Sequence, residues 1–313
     1  MRVFVAGASG AIGRRLVPQL VAAGHEVIAL ARSADKARAL EALGAKTVVA
    51  DALDAEALGA AVTRSEPQAV VHQLTSIPRD GSFRNFERDF EQTNRLRTEA
   101  TDTLLAAALL VGARRFIAQS FCGWPYAHEG GPVKSEDDAL DSNPPMSFMN
   151  ALGALRYLES AVRDAVGIEA IALRYGMLYG PGTAFALDGT AVKAVRRRAI
   201  PIVGKGAGVW SFVHVEDAAR ATVAALTRGR HGIYNIVDDE PAPVSEWLPY
   251  LAHALGARPP RRMPAWLARF AIGEGGVSMM TDVRGGSNAK AKRELGWQPV
   301  FASWRRGFVE GLG

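Results

Sequence analysis

The chain has 313 residues, 48% hydrophobic and 22% charged, a balance that belongs to globular proteins, and no apolar run approaches the length of a bilayer span. The net charge of +5 is scattered over pairs such as Arg114-Arg115 and Arg261-Arg262 without a long basic run, so no nucleic-acid or membrane partner is expected. Cys122 is the single cysteine, which excludes an internal disulfide; with no charged leader before the first apolar run, a cytoplasmic protein is expected.

Residues 1–6 form a short apolar run, and Gly7-Ala-Ser9-Gly10-Ala11-Ile12-Gly13 follows directly. The next stretch, to residue 23, places Ile12, Leu16, Leu20 and Ala23 on one helical face. A buried strand entering a glycine turn that opens a helix is the geometry for a dinucleotide pyrophosphate. Gly7 permits the turn, Gly10 lets backbone approach phosphate, and Gly13 lets the helix pack on the strand. Ser9, Ala11 and Ile12 lie where the N–H groups of the first turn meet the anion.

Further β-branched runs at 26–30, 47–50, 69–72, 115–118 and 169–173 read as strands. They alternate with helical stretches near 34–43, 55–63, 86–111 and 147–166. Repeated βα units predict an α/β fold with a Rossmann-type, doubly wound parallel sheet and ligands at the carboxyl ends of the strands. After about Arg174, glycine and proline punctuate shorter pieces, including 180–182, 204–208 and 273–276. This predicts a dinucleotide-binding domain over 1–175 and a smaller α+β substrate lobe over 176–313, interleaved with the first.

The end of the second strand selects the dinucleotide. A carboxylate there accepts bonds from ribose hydroxyls, whereas a basic residue suits a 2′-phosphate. The segment here is Ile28-Ala-Leu-Ala-Arg32-Ser33-Ala-Asp35-Lys36. Arg32 offers a bidentate pair, Ser33 a hydroxyl and Lys36 a nearby charge, so NADP is expected over NAD. Asp35 is expected to cap the following helix.

The order of motifs, including the GxxGxxG spacing, resembles the extended branch of the short-chain dehydrogenase/reductases, the group of NAD-dependent epimerases and dehydratases. The resemblance covers nearly the whole chain. It implies that Asp51-Ala52-Leu53 form an acidic turn against adenine and that Leu74 and Thr75 belong to the loop passing the cofactor. It likewise implies cofactor contacts for Asn94, for Gln119 and Ser120 at the end of the fifth strand, and for Tyr175 beside the nicotinamide. Phe212–Asp217 and Leu295–Pro299 match landmarks of the C-terminal lobe, and the helices at 86–111 and 147–166 imply a homodimer.

The resemblance also implies a tyrosine with a lysine four residues later, the phenol moving a proton while the ammonium holds the ribose. None of the six tyrosines is followed by lysine at that spacing; the residues found are Gly130, Ala161, Tyr179, Thr183, Asp238 and Ala254. Counting back from Glu159 puts Ala151 and Leu155 where the pair stands in the family, and the accompanying serine falls at Phe121 or Cys122. Tyr126, in the loop after the fifth strand, is therefore expected to be the proton donor, with Tyr157 second and Cys122, His128 and Lys134 as further candidates. His72 and His214 are expected to be satisfied core histidines.

Cys122, Trp124, Met177, Tyr179 and Trp210 are expected to line an aromatic substrate pocket. Arg174 and Arg284 read either as contacts to an anionic substrate or, for Arg174, as structural. The reaction expected is NADP(H)-dependent reduction of a carbonyl on a bulky or aromatic small molecule. The alternatives are a nucleotide-sugar epimerase or dehydratase, and a non-catalytic NADP(H) sensor of the NmrA-like kind.

Overall fold

Seven short apolar segments form one parallel sheet: β1 (Arg2–Ala6), β2 (Glu26–Ala31), β3 (Lys46–Val49), β4 (Ala69–His72), β5 (Arg115–Phe121), β6 (Glu169–Tyr175) and β7 (Gly232–Ile236). A computed structural model, which describes residues 1–78 and 85–313, orders them β3-β2-β1-β4-β5-β6-β7. Phe4 pairs with Ile28 on one side and with Val70 on the other. The strand order reverses between β1 and β4, and that reversal opens the crevice at the carboxyl edge where α/β sheets bind ligands.

Alternation sends successive side chains of a strand to opposite faces, so both faces are apolar and both are covered. Val3 and Val5 meet Leu16, Leu20 and Tyr175 on the face covered by α1 (Gly13–Ala22). Phe4 and Ala6 join Leu58, Leu104 and Leu158 on the other. That second face carries α3 (Ala55–Ser65), α4 (Phe86–Leu110) and α5 (Met149–Asp164), with α4 packed between its neighbours. α2 (Ala34–Glu41) lies beside β2 and β3. Ser33 caps it by accepting from the Lys36 amide, while Asp35 is ion-paired with Arg38, so the cap expected at Asp35 sits two residues earlier.

The C-terminal part threads back through this unit, because β7 extends the sheet and α7 (Val215–Ala225) packs on α1. The rest forms a third core around Trp210, Phe212, Trp247, Trp304 and Phe308. Its helices are α6 (Thr190–Arg196), α8 (Val244–Ala254), α9 (Ala265–Thr281), α10 (Ala289–Leu295) and α11 (Trp304–Glu310). The glycines at 273–276 do not end a helix. Gly273, at φ +72°, kinks α9, and beyond the kink a Cβ on Gly275 would come within 2.8 Å of the Phe148 ring.

Candidate functional site

The glycine turn has the steric character of a phosphate cradle. Gly7 has φ +91°, and a Cβ there would stand 2.3 Å from the Gln73 carbonyl oxygen; at Gly13 it would stand 2.4 Å from Ala8 oxygen. At Gly10 a Cβ would meet only Gly7 oxygen, at 3.3 Å, so the side facing the crevice is open. No side chain caps the start of α1; the Arg14, Arg15 and Leu16 amides bond back to the Gly10 and Ile12 carbonyls, and the positive end of the helix dipole faces the crevice. These features fit a dinucleotide pyrophosphate, which would be held by backbone rather than by charged side chains.

On the adenosine side, Arg32 and Ser33 lie just past β2 and are exposed. Asp51, past β3, accepts from the Leu53 amide at 2.9 Å, which shapes the turn over residues 51–53. Past β4, Leu74 is half-buried and Thr75 exposed, and the Leu74 amide donates to His72 Nδ1 at 3.2 Å. Asn94 on α4 has a buried Oδ1 without a partner among the described residues. It borders a polar cleft of about 690 Å³ together with Glu87, Glu91, Ser147 and Asn150.

Beneath the ends of β5 and β6 runs a closed polar chain. Glu159 on α5 receives Arg174 through two bonds of 2.6 Å, from Nε to Oε1 and from Nη2 to Oε2, and both side chains are almost fully buried. Ser120 donates to Glu159 Oε1 at 2.7 Å, so its hydroxyl points under the sheet edge, away from the crevice; Gln119 is half-buried beside it. Arg174 Nη1 donates to the Tyr126 hydroxyl at 2.9 Å, and that hydroxyl donates to Asn235 Oδ1 at 2.7 Å. Arg174 is thus structural, and Arg284 is tied to the carbonyls of Asp282 and His128.

This geometry corrects the expectation that Tyr126 presents its phenol to the pocket. The residue has no exposed surface, both of its hydroxyl bonds are internal, and burial pushes its pKa well above the ordinary value. Gly123, at φ +116°, turns the loop inward and carries Tyr126 into the network. Tyr157 is displaced in the opposite sense: it is exposed on the outer face of α5 and donates to Asp102 of α4 at 2.7 Å. Tyr175 is buried on the α7 side of the sheet. Its hydroxyl shares a 2.6 Å bond with Thr222 and accepts from Gln73 at 2.9 Å, so it does not project beside the nicotinamide position. His72 and His214 are core residues bonded to backbone carbonyls, and burial lowers the pKa of His72 to about 4.

Above this network lies a narrow slot with about 10 Å³ of clear space. Cys122, Trp124, Met177 and Trp210 line it as expected, with Phe121, Ser211, Met279 and Val283 added. Tyr179 is not among them. Its ring is buried against Phe212, His214 and Phe308, and a Cβ on Gly307 would collide with its hydroxyl. Burial pushes the Cys122 thiol up to about 12, so it stays neutral at physiological pH. Ala151 and Leu155 are buried apolar positions of α5, so this helix offers no phenol or ammonium there.

The family profile of the NAD dependent epimerase/dehydratase family matches residues 3–237, and the chain belongs to that family. A Streptomyces protein described as 3-diazoavenalumate denitrifying reductase is 44% identical over 98% of this chain and 99% of its own length. A Stigmatella aurantiaca protein described as 4-hydroxy-2-methyl-3-oxo-4-farnesyl-3,4-dihydroquinoline-1-oxide ketoreductase is 28% identical over 82% of this chain and 74% of its own. Among solved structures, the UDP-glucose 4-epimerase of Thermus thermophilus in complex with NAD superposes with a TM-score of 0.74. It is 25% identical and covers 100% of this chain and 98% of its own. The protein is an NAD(P)-dependent oxidoreductase of this family, and none of the described helices is long and apolar enough to cross a membrane.

Proposed function

We propose that the protein is an NADP(H)-dependent reductase of a planar, conjugated small molecule, and that the group reduced is a diazo function lost as dinitrogen. What carries this reading is that the described wall of the slot holds no carboxyl, phenol or imidazole, and its one hydroxyl, Ser211, is engaged by the Gly286 backbone. Phe121 or Cys122, Ala151 and Leu155 stand where the family resemblance puts the proton-handling residues, the Tyr126 hydroxyl is sealed below, and the buried Cys122 thiol holds its proton more tightly than an ordinary phenol. Hydride addition to a carbonyl creates an oxyanion that needs a proton at once. Reduced nicotinamide, when bound, would supply a hydride, and a hydride at an arenediazonium carbon would replace dinitrogen with atoms and charge balanced and no proton drawn from the protein.

As it stands the slot has about 10 Å³ of clear space, room for one water, so substrate entry requires its walls to part; the apolar lining favours an apolar group over a sugar. Trp124 and Trp210 offer ring faces, and Met177 and Met279 offer adaptable thioethers that exclude water. The description of the 44% identical relative as a denitrifying reductase of a diazo compound supports the reading. Carbonyl reduction is the second reading, favoured by the ketoreductase relative. Enzyme-dependent NADPH oxidation with equimolar dinitrogen release from a hydroxyarene diazonium, against no oxidation with the matching aryl ketone, is the expected outcome.

Selectivity for NADP is assigned to Arg32. Losing a charged contact to the 2′-phosphate amounts to roughly a ten- to hundredfold loss of affinity. Arg32→Ala is expected to weaken NADPH by that factor and leave NADH nearly unchanged in a fluorescence titration. Equal affinities for the two in the wild type contradict the assignment. A cytoplasmic homodimer through α4 and α5 completes the reading, and light scattering at micromolar concentration checks the dimer.

A further inference from the structure

Arg97 has no place in the family's machinery as read from the sequence, yet its environment is unusual. It lies in the middle of α4 and is only 4% exposed. Its guanidinium Nε and Nη1 are buried without a hydrogen-bond partner among the described residues. Every other arginine discussed above is exposed or bonded to a carboxylate or a carbonyl. Burial lowers the Arg97 pKa to about 10, and only the more distant charge of Glu159 opposes this. Buried guanidinium N–H groups left unpaired are destabilising, so such an arrangement persists where something else satisfies it.

The position says what that is. Thr93, Arg97 and Thr101 are spaced four apart and share one face of α4. Thr93 Oγ1 accepts from the Ser76 amide at 3.0 Å, in the segment past β4, and Thr101 Oγ1 lies 3.1 Å from Nε2 of His72, the last residue of β4. Arg97 is therefore held between two contacts to the carboxyl end of β4. It is also within electrostatic reach of Glu159, which receives Ser120 from the end of β5. A dinucleotide whose pyrophosphate sits on α1 places its adenosine toward β2 and its nicotinamide half over β4 and β5. Leu155 of α5, where the family resemblance calls for a lysine, supplies no charge there.

We propose that Arg97 is the cation of the nicotinamide half-site. Reaching in from α4, it donates to the hydroxyl oxygens of the nicotinamide ribose and replaces the ammonium that α5 lacks. A guanidinium at this point orients the ring but does not relay a proton, which agrees with a site that has no tyrosine to activate. The proposal rests on dinucleotide binding at this edge, and the test separates the two. NADPH and adenosine 2′,5′-bisphosphate, which lacks the nicotinamide half, are titrated by calorimetry on wild type and Arg97→Met, and both proteins are melted without ligand. The expected result is NADPH binding weakened roughly ten- to a hundredfold, with the bisphosphate within about twofold of wild type and a melting temperature no lower. Unchanged NADPH affinity overturns the proposal, and so does equal loss for both ligands or a lowered melting temperature, which assign Arg97 to the scaffold. A wild type that binds neither ligand overturns the dinucleotide reading itself.

Discussion

Arg174→Met is expected to lower the unfolding free energy by about 3–5 kcal/mol, because it leaves the Glu159 carboxylate buried with Ser120 as its only hydrogen-bond donor among the described residues. The two bonds of 2.6 Å are charge-assisted and bidentate, and the same guanidinium holds the Tyr126 hydroxyl. Loss of the arginine thus loosens β5, β6 and the loop that walls the slot together. Pairing Arg174→Met with Glu159→Leu is expected to recover much of the loss, since apolar replacement of both members of a buried pair is often neutral. Urea denaturation of both single variants and the double variant checks this. A single variant within 1 kcal/mol of wild type refutes the structural role given to the pair.

Gly7→Ala is expected to destabilise the protein by roughly 2–5 kcal/mol and to abolish dinucleotide binding in whatever fraction stays folded. Two effects add. The residue sits at φ +91°, and the new Cβ falls 2.3 Å from Gln73 oxygen and 2.8 Å from the Leu74 amide nitrogen, both backbone atoms. Relief requires β1 to part from the segment past β4, which is where the crevice opens. Thermal melting with and without NADPH measures both parts. A variant that keeps its melting temperature and its ligand-induced shift contradicts the steric account.

How much of this was legible in the sequence follows from how local each feature is. The strand, glycine turn and helix at residues 2–22 are contiguous, so hydrophobic period and glycine spacing suffice to read them. The Glu159–Arg174 pair depends on α5 folding back over β6, and spacing along the chain carries no trace of it. Spacing alone does not place Tyr126, because the turn at Gly123 sends the loop inward, a matter of one backbone angle. Met279 and Val283 reach the slot from α9 and its end, a segment whose glycine cluster resembles a loop. Arg97 was hidden among helix charges: Arg95, two positions earlier, pairs with Glu99 on the exposed face, and only packing against β4 separates the two.

The central claim, hydride delivery without a proton donor from the protein, is tested most directly by following the hydride. The protein is mixed anaerobically with a hydroxyarene diazonium and NADPH carrying deuterium in both positions at C4 of the nicotinamide, and product deuterium and released dinitrogen are measured by mass spectrometry. The account predicts one deuterium on the carbon that bore the nitrogen for each dinitrogen released, at a rate unchanged by Tyr126→Phe in the protein that remains folded. Dinitrogen released with solvent hydrogen on that carbon, or no release while an aryl ketone is reduced to its deuterated carbinol, would contradict it.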